Sequence, residues 1–175
     1  MILVATMGVA WGQDAVFRAS SEDGVLRATI DVVVEREAAS LWPPLSGTGA
    51  QHAWVPYMKT ASVTRVEANA IVCDGLTNLP WPFRDRTWSV RMTTRAGGSG
   101  SPYVASWEYV PGSGTLDDTS GSWALEPLSG GRTRVKLTAM ADLGKPVPGP
   151  LLRWAERKAL PQMVDALLEQ AGRTP

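Results

Sequence analysis

Charged side chains that could do chemistry cluster in one mid-chain stretch of this sequence. Arg84, Asp85 and Arg86 are consecutive there, and Arg91 follows. Such a cluster could orient the headgroup of a bound ligand. The alternative is a set of structural ion pairs that fixes the start of a strand, since charge clusters are often structural. The stretch therefore predicts either a headgroup contact or an ion-paired strand entry.

A second polar group surrounds the single histidine. His52 precedes Trp54 and Tyr57 in a stretch of residues 51–58 with the character of a helical turn. A histidine beside aromatic side chains could hydrogen-bond a ligand hydroxyl, or it could be a structural histidine whose hydrogen bonds are satisfied within the protein. Both interpretations stay open from the sequence.

The sequence contains no complete catalytic or metal-binding motif. A Ser-His-Asp arrangement would have to use His52, and the segment 97–101 lacks the last glycine of a nucleophile elbow. Zincin, P-loop and dinucleotide fingerprints are absent from the sequence. The one cysteine, Cys73, excludes an internal disulfide and is most simply a small buried hydrophobe. We therefore expect no metal, no cofactor and no enzymatic activity.

Composition indicates one globular domain. The chain has 175 residues, enough for a substantial core, and its 17 basic and 17 acidic residues give no net charge. That balance, without a block of like charge, argues against nucleic-acid binding. Eight tryptophans with 17 glycines and 13 prolines are typical of short strands, tight turns and large apolar surfaces.

The first residues form an apolar segment of their own. Residues 1–12 have the length of the apolar part of a signal peptide but lack its basic start. They are either a truncated export signal or an ordinary buried strand. We expect residues 13–175 to form the single domain and the protein to be periplasmic or secreted, with a cytoplasmic location as the alternative.

Strands dominate the rest of the chain. Alternating or β-branched patterns predict strands over residues 25–35, 61–67, 70–79, 83–94, 103–110, 121–126 and 133–141. Residues 35–42 fit a short helix that Pro43 and Pro44 end. Residues 149–171 form a long amphipathic helix, in which Pro161 should loosen the turn before it and act as a hinge or as a harmless kink. These elements predict an α+β fold in which the helix lies on one antiparallel sheet.

The order of several motifs resembles the StAR-related lipid-transfer (START) family, most of all its bacterial exported members. The matching segments are residues 78–91 (NLPWPFRDRTWSVR), Gly121-Ser-Trp123 and residues 142–148 (DLGKPVP), together with Trp54 and Pro56. The resemblance covers about residues 25–171. It implies the helix-grip fold, also seen in Bet v 1-like proteins: a curved antiparallel sheet wraps a long C-terminal helix, with two short helices after an early strand.

The same resemblance implies an internal tunnel that holds one lipid. In sterol-carrying relatives the arginine at the position of Arg91 faces that tunnel beside an acidic residue, whose place here is near Cys73. Sterol specificity is therefore not implied, and strand alternation leaves Arg91 facing either the tunnel or water. The residues expected to contact the ligand are Trp88, Val90, Arg91, Met92, Trp107, Leu137, Ala159, Met163 and His52.

Taken together, these features predict a monomeric carrier of a hydrophobic small molecule, such as a lipid, sterol-like or acyl-chain ligand. Transient contact with a membrane fits that role, and we expect no nucleic-acid partner. Two alternatives remain. One is a cyclase or aromatase on the same scaffold that uses Arg91, His52 or Tyr57 for proton transfer. The other is an interaction module whose own tryptophans fill the cavity.

Overall fold

The computed structural model describes residues 14–47, 54–67, 70–81, 83–98 and 100–173. The proposed leader, residues 1–12, therefore lies outside the described residues. The strands are β1 (Val16–Glu22), β2 (Val25–Val34), β3 (Met58–Val66), β4 (Ile71–Thr77), β5 (Arg86–Arg95), β6 (Tyr103–Tyr109), β7 (Asp118–Leu128) and β8 (Arg132–Asp142). The helices are α1 (Ala38–Ser46), α2 (Gly149–Trp154), a π-helical turn (Ala155–Ala159) and α3 (Leu160–Arg173).

All eight strands form one antiparallel sheet in the order β1-β2-β8-β7-β6-β5-β4-β3. A tight hairpin turn joins β7 to β8, and Gly130 and Gly131 adopt the positive φ angles that such a turn needs. The C-terminal helix lies against the curved sheet, which confirms the predicted helix-grip fold. No helix within the described segments is both long and apolar enough to cross a bilayer.

Helix α1 corrects one expectation from the sequence. Pro43 and Pro44 lie inside the helix, which continues to Ser46 instead of ending before them. A proline within a helix has a helical φ angle, but it loses one backbone hydrogen bond and its ring crowds the carbonyl group four residues earlier. Burial of Leu41 and Leu45 in the main core offsets that loss. The second predicted short helix, residues 51–58, lies partly outside the described residues, and its last residue belongs to β3.

The C-terminal helix changes geometry just before Pro161. The amide of Leu160 donates to the carbonyl oxygen of Ala155, five residues earlier, which closes the π-helical turn. Pro161 has no amide hydrogen to donate to Arg157, so a regular α-helical ladder cannot run through this point. The prediction that Pro161 loosens the preceding turn is confirmed, whereas its use as a hinge stays a prediction.

The inner face of the sheet changes from large to small side chains along its strands. One row across β2, β8 and β7 holds Ile30, Leu137 and Trp123, all buried in the main core with α3. The row two residues away holds Ala28, Ala139 and Gly121 on the same three strands. The large side chains of the first row fill the space beneath α3, whereas the small side chains of the second row leave space unfilled. Helix and sheet therefore meet in a dry core at one end and leave room at the other.

Two tryptophans lie over glycines on the neighbouring strand. Trp88 pairs with Gly75 across β5 and β4, and Trp107 pairs with Gly121 across β6 and β7. A Cβ atom added to Gly75 would lie 2.2 Å from the Trp88 ring, and one added to Gly121 would lie 2.4 Å from the Trp107 ring. Each ring can therefore lie along the sheet only because its partner has no side chain.

We predict that Gly121→Ala destabilises the fold. The new Cβ would also lie 2.4 Å from the backbone oxygen of Thr138, which cannot rotate away. Overpacking of this kind costs about 1–3 kcal/mol, measured as the free energy of unfolding in urea. Gly98→Ala is the control, because nothing lies within 4 Å of its Cβ position. Equal stability of the two variants would contradict this account of the glycine.

On the outer face, one ion pair joins β2 to β8. Arg134 donates through Nε and Nη2 to the two carboxylate oxygens of Asp31, both at 2.7 Å. The hydrogen bond from Arg134 holds the pKa of Asp31 below its ordinary value of 3.8. The pair therefore stabilises the fold above that value, and its contribution is lost as the pH falls through the lowered pKa.

We predict that Arg134→Gln lowers the free energy of unfolding at neutral pH. The difference from the unmodified protein should shrink to zero once the pH is low enough to protonate Asp31 in the folded state. Urea unfolding across the acid range measures it. Arg18→Gln, another exposed arginine on the sheet, is the control for a change in net charge. A loss that stays constant down to low pH would contradict the proposed linkage.

Candidate functional site

A cavity of about 370 Å³ lies between the sheet and the C-terminal helix, in the size range of small-molecule sites. The rings of the tryptophans lie along its wall and leave it open, so the alternative of a cavity filled by tryptophans is wrong. The sheet contributes apolar side chains that include Ala28, Cys73, Trp88, Val90, Met92, Ala105, Trp107, Trp123, Ala139 and Ala141. The C-terminal helix contributes Leu151, Leu152, Trp154, Ala155, Ala159, Leu160 and Met163.

The structure brings most of the predicted ligand contacts together around this cavity. Those that line it are Trp88, Val90, Met92, Trp107, Ala159 and Met163. Trp88, Val90 and Met92 alternate along β5 and so share its inner face, as strand geometry requires. Whether these side chains bind a ligand stays a prediction.

Leu137 and Arg91 are exceptions among the predicted contacts. Leu137 is only 1% exposed, but it packs in the dry core under α3 and does not line the cavity. Arg91 is on the outer face of β5, where its Nε donates to Glu67 Oε2 at 3.0 Å. Alternation decides its direction, because Val90 and Met92 on either side face inward. His52 lies outside the described residues.

Most polar groups in the cavity wall are already hydrogen-bonded within the protein. Thr119 donates through Oγ1 to the carbonyl oxygen of Met140 at 2.8 Å. Thr77 accepts from Nε1 of Trp88 at 2.8 Å, which also holds the Trp88 ring against Gly75. These hydroxyls are satisfied without a ligand, so the wall that they belong to behaves as an apolar surface.

Tyr57 joins the loop before β3 to the C-terminal helix. Its hydroxyl donates to Oε1 of Gln162 at 2.7 Å, and its ring meets the edge of the Trp154 ring at 5.3 Å between centroids. The backbone of Tyr57 has a φ of 69°, in the left-handed region, and its carbonyl oxygen accepts from Asn78. Burial raises the pKa of the Tyr57 hydroxyl, which keeps it protonated.

The three charged residues of the mid-chain stretch differ in their surroundings, and a headgroup contact stays a prediction. Asp85 forms an ion pair with Lys59 of β3, so this residue belongs to a structural pair at the strand entry. Arg84 is exposed, whereas Arg86 is half-buried and lines the cavity. Arg86 shares the inner face of β5 with Trp88, since the two residues are two positions apart. It is the one charged side chain in the described cavity wall.

Cys73, Trp81 and Glu108 differ in their exposure. Cys73 is 1% exposed in the cavity wall, as expected for a small buried hydrophobe, and burial raises the pKa of its thiol. Trp81 is 89% exposed. Glu108 faces solvent on β6. Within the described segments, no three His, Cys, Asp or Glu residues come close enough together to hold a metal ion.

Sequence reasoning missed the small residues and the loop residues of the wall. The alternation of Val135, Leu137, Ala139 and Ala141 correctly predicts the inner face of β8, and its change from large to small residues is a sign of the cavity end. No pattern within the loops points to two further apolar wall residues, Leu116 and Leu143, because loops have no fixed period. Phe83, which the sequence placed at the start of a strand, lies before β5 and also lines the wall.

Comparison with solved structures shows the same fold in proteins of low sequence identity. A STAR-related lipid transfer protein from Xanthomonas axonopodis has a TM-score of 0.67 at 15% identity, over 89% of this chain and 98% of that one. Human StAR-related lipid transfer protein 5 has a TM-score of 0.66 at 12% identity, over 97% and 89%. The Zhui aromatase/cyclase from a Streptomyces species has a TM-score of 0.62 at 17% identity, over 85% and 94%. No curated protein sequence matches the chain significantly.

A family model gives the assignment that structural likeness alone cannot give. Residues 34–168, most of the chain, match the model described as polyketide cyclase / dehydrase and lipid transport. The expected likeness to the START family is confirmed, whereas the bacterial exported type stays a prediction. The chain therefore belongs to the polyketide cyclase, dehydrase and lipid transport family.

Proposed function

We propose that this protein binds one lipid-like small molecule in its cavity and carries it between membranes or enzymes. The observation that carries the proposal is the cavity of about 370 Å³, whose wall is apolar apart from Tyr57, Thr77, Asn78, Arg86 and Thr119. The family includes lipid transport by description, which supports this role.

Desolvation supplies the binding energy in this proposal. Each Å² of apolar surface removed from water contributes about 25 cal/mol, and tryptophan rings offer large flat areas for such contact. No catalytic group is needed for binding. The hydroxyls of Thr77 and Thr119 have hydrogen-bond partners within the protein, so an apolar ligand beside them leaves neither without a partner.

Movement of the segment around α2 would admit the ligand. No side chain of α2 is fully buried, in contrast to Leu160, Val164 and Leu167 of α3. The π-helical turn separates the two helices, and Tyr57 with Gln162 closes the loop onto the start of α3. Elements with few buried contacts open at the lowest free-energy cost, so we expect this end to act as the entrance.

Ala139→Phe should abolish ligand uptake with little change in fold. The new ring would occupy the cavity beside Gly121 and Trp107, because Ala139 lines it on β8. We expect the affinity for a hydrophobic fluorescent dye to fall at least about tenfold, since the ring removes the volume that a ligand needs. Titration of the dye measures this.

Thr138→Phe is the matched control for this variant. Thr138 is the preceding residue on β8 and faces solvent, so the same ring there leaves the cavity unchanged. Native mass spectrometry of the protein purified from its own host should also show an intact bound lipid. Equal dye uptake by the two variants, with no bound lipid, would contradict the carrier function.

A cyclase or aromatase is the second candidate, because the family description also names polyketide cyclases. The specific observation in its favour is the Tyr57 hydroxyl in the cavity wall, which could donate a proton to a bound carbonyl once its hydrogen bond to Gln162 is released. Arg91 is not available for this role, because it faces away from the cavity.

If the protein is a cyclase, Tyr57→Phe should slow turnover of a polyketide substrate by about 100-fold or more, the usual contribution of a general acid. Product analysis by chromatography measures the turnover. Gln162→Ala is the control, since it removes the hydrogen-bond partner of Tyr57 but keeps the hydroxyl. Unchanged turnover in Tyr57→Phe would exclude this catalytic role for Tyr57.

A further inference from the structure

One cation in the cavity wall has no partner among the described residues. Arg86 is half-buried and lines the cavity, yet no hydrogen bond or ion pair joins its side chain to another residue that the structure describes. The nearest carboxylate in sequence, that of Asp85, is paired with Lys59 instead. A guanidinium that faces an apolar cavity without an anion is unfavourable, because it loses water without gaining a charged partner.

The position of Arg86 gives the cavity two different ends. Arg86 begins β5, and Trp88, Val90 and Met92 continue the same inner face along the strand. At about 3.3 Å per residue, Met92 lies roughly 20 Å from Arg86. Arg86 pairs with Thr77 across β5 and β4. The residue after Thr77, Asn78, lines the cavity and is exposed to solvent, so this end of the cavity reaches the surface. We call Arg86 and Asn78 the polar end.

Other cations of this region serve different partners. Arg91 is bound to Glu67 on the outer face, and Arg65 also contacts Glu67. The described cavity wall contains no Asp or Glu to oppose an anionic ligand. An incoming anion at the polar end would therefore meet a guanidinium that no described residue pairs with, and no repelling carboxylate in the described wall.

We propose that the ligand is an anionic amphiphile whose carboxylate or phosphate head binds Arg86 while its apolar tail lies along Trp88, Val90 and Met92. This inference rests on the proposed binding function and names the chemical class of the ligand. The planar guanidinium fork matches both head groups, so the head is an oxyanion of either kind. The apolar row then takes the tail out of water.

Laurate, lauryl phosphate and lauryl alcohol test the proposal, because they share one alkyl chain and differ only in the head. Displacement of a bound hydrophobic dye, at concentrations below micelle formation, gives the three affinities. We expect at least one of the two anions to bind about tenfold or more tightly than the alcohol, as charge-assisted hydrogen bonds allow. The tighter anion identifies the head group.

Variants distinguish the local role of Arg86 from the effect of the overall charge of the protein. Arg86→Gln should reduce the preference for the anion over the alcohol to within about threefold, whereas Arg86→Lys should keep part of it. Arg84→Gln removes the same charge from an exposed position two residues away and should keep the full preference. Circular dichroism checks that each variant is folded. The three affinities of the unmodified protein test the proposal even if a variant fails to fold.

The outcomes distinguish this inference from the function on which it rests. If the unmodified protein binds the alcohol as tightly as both anions, the role of Arg86 is wrong and the apolar carrier stands. If the anion preference persists in Arg86→Gln, Arg86 is likewise not the site. If none of the three ligands displaces the dye and no lipid is bound to the native protein, both proposals are wrong.

Discussion

The absence of side-chain volume along one row of the sheet is the constraint on which the rest of this structure depends. Ala28, Ala139 and Gly121 lie side by side on three neighbouring strands, and Trp107 lies flat over the glycine. A protein interior normally fills such space to the density of an organic crystal. Two residues further along, the larger Ile30, Leu137 and Trp123 pack in one core with α3. The cavity thus follows from a step in side-chain size within one continuous core.

The C-terminal helix also has one part over the packed core and one part over the cavity. Its second part, α3, buries Leu160, Val164 and Leu167, whereas none of the side chains of α2 is buried. The π-helical turn lies between these two parts, at the point where Pro161 prevents a regular ladder. Stability is concentrated where the helix covers the dry core, and the part over the cavity is held by fewer contacts, such as that of Glu156 with the amide of Ala19. An entrance is expected at the end where opening disturbs the least buried surface.

The sequence predicts the elements of this fold well because their patterns are local. Alternation along β5 and β8 and the stripe of the C-terminal helix each follow from a fixed period. The cavity is harder to predict, since it depends on which rows of different strands lie opposite the helix, and strand register is set by pairing over long distances. Leu137 shows the limit: alternation correctly turns it inward, but only the register places it in the dry core. Pro43 and Pro44 show a second limit of prediction from sequence, because burial of neighbouring residues outweighs the local preference of proline to break a helix.

The two arginines of β5 show why a site must be assigned from side-chain direction as well as from family likeness. Likeness to sterol-carrying relatives points to Arg91, yet five positions separate it from Arg86, and an odd number of steps along a strand reverses the face. Arg91 therefore meets Glu67 in water, and Arg86 meets the cavity. A cation paired at the surface adds little to ligand choice, because solvent screens it. A cation without a partner beside an apolar wall discriminates strongly, since an uncharged ligand would leave it unpaired. Ligand choice in this chain should therefore depend on the arginine that begins the strand.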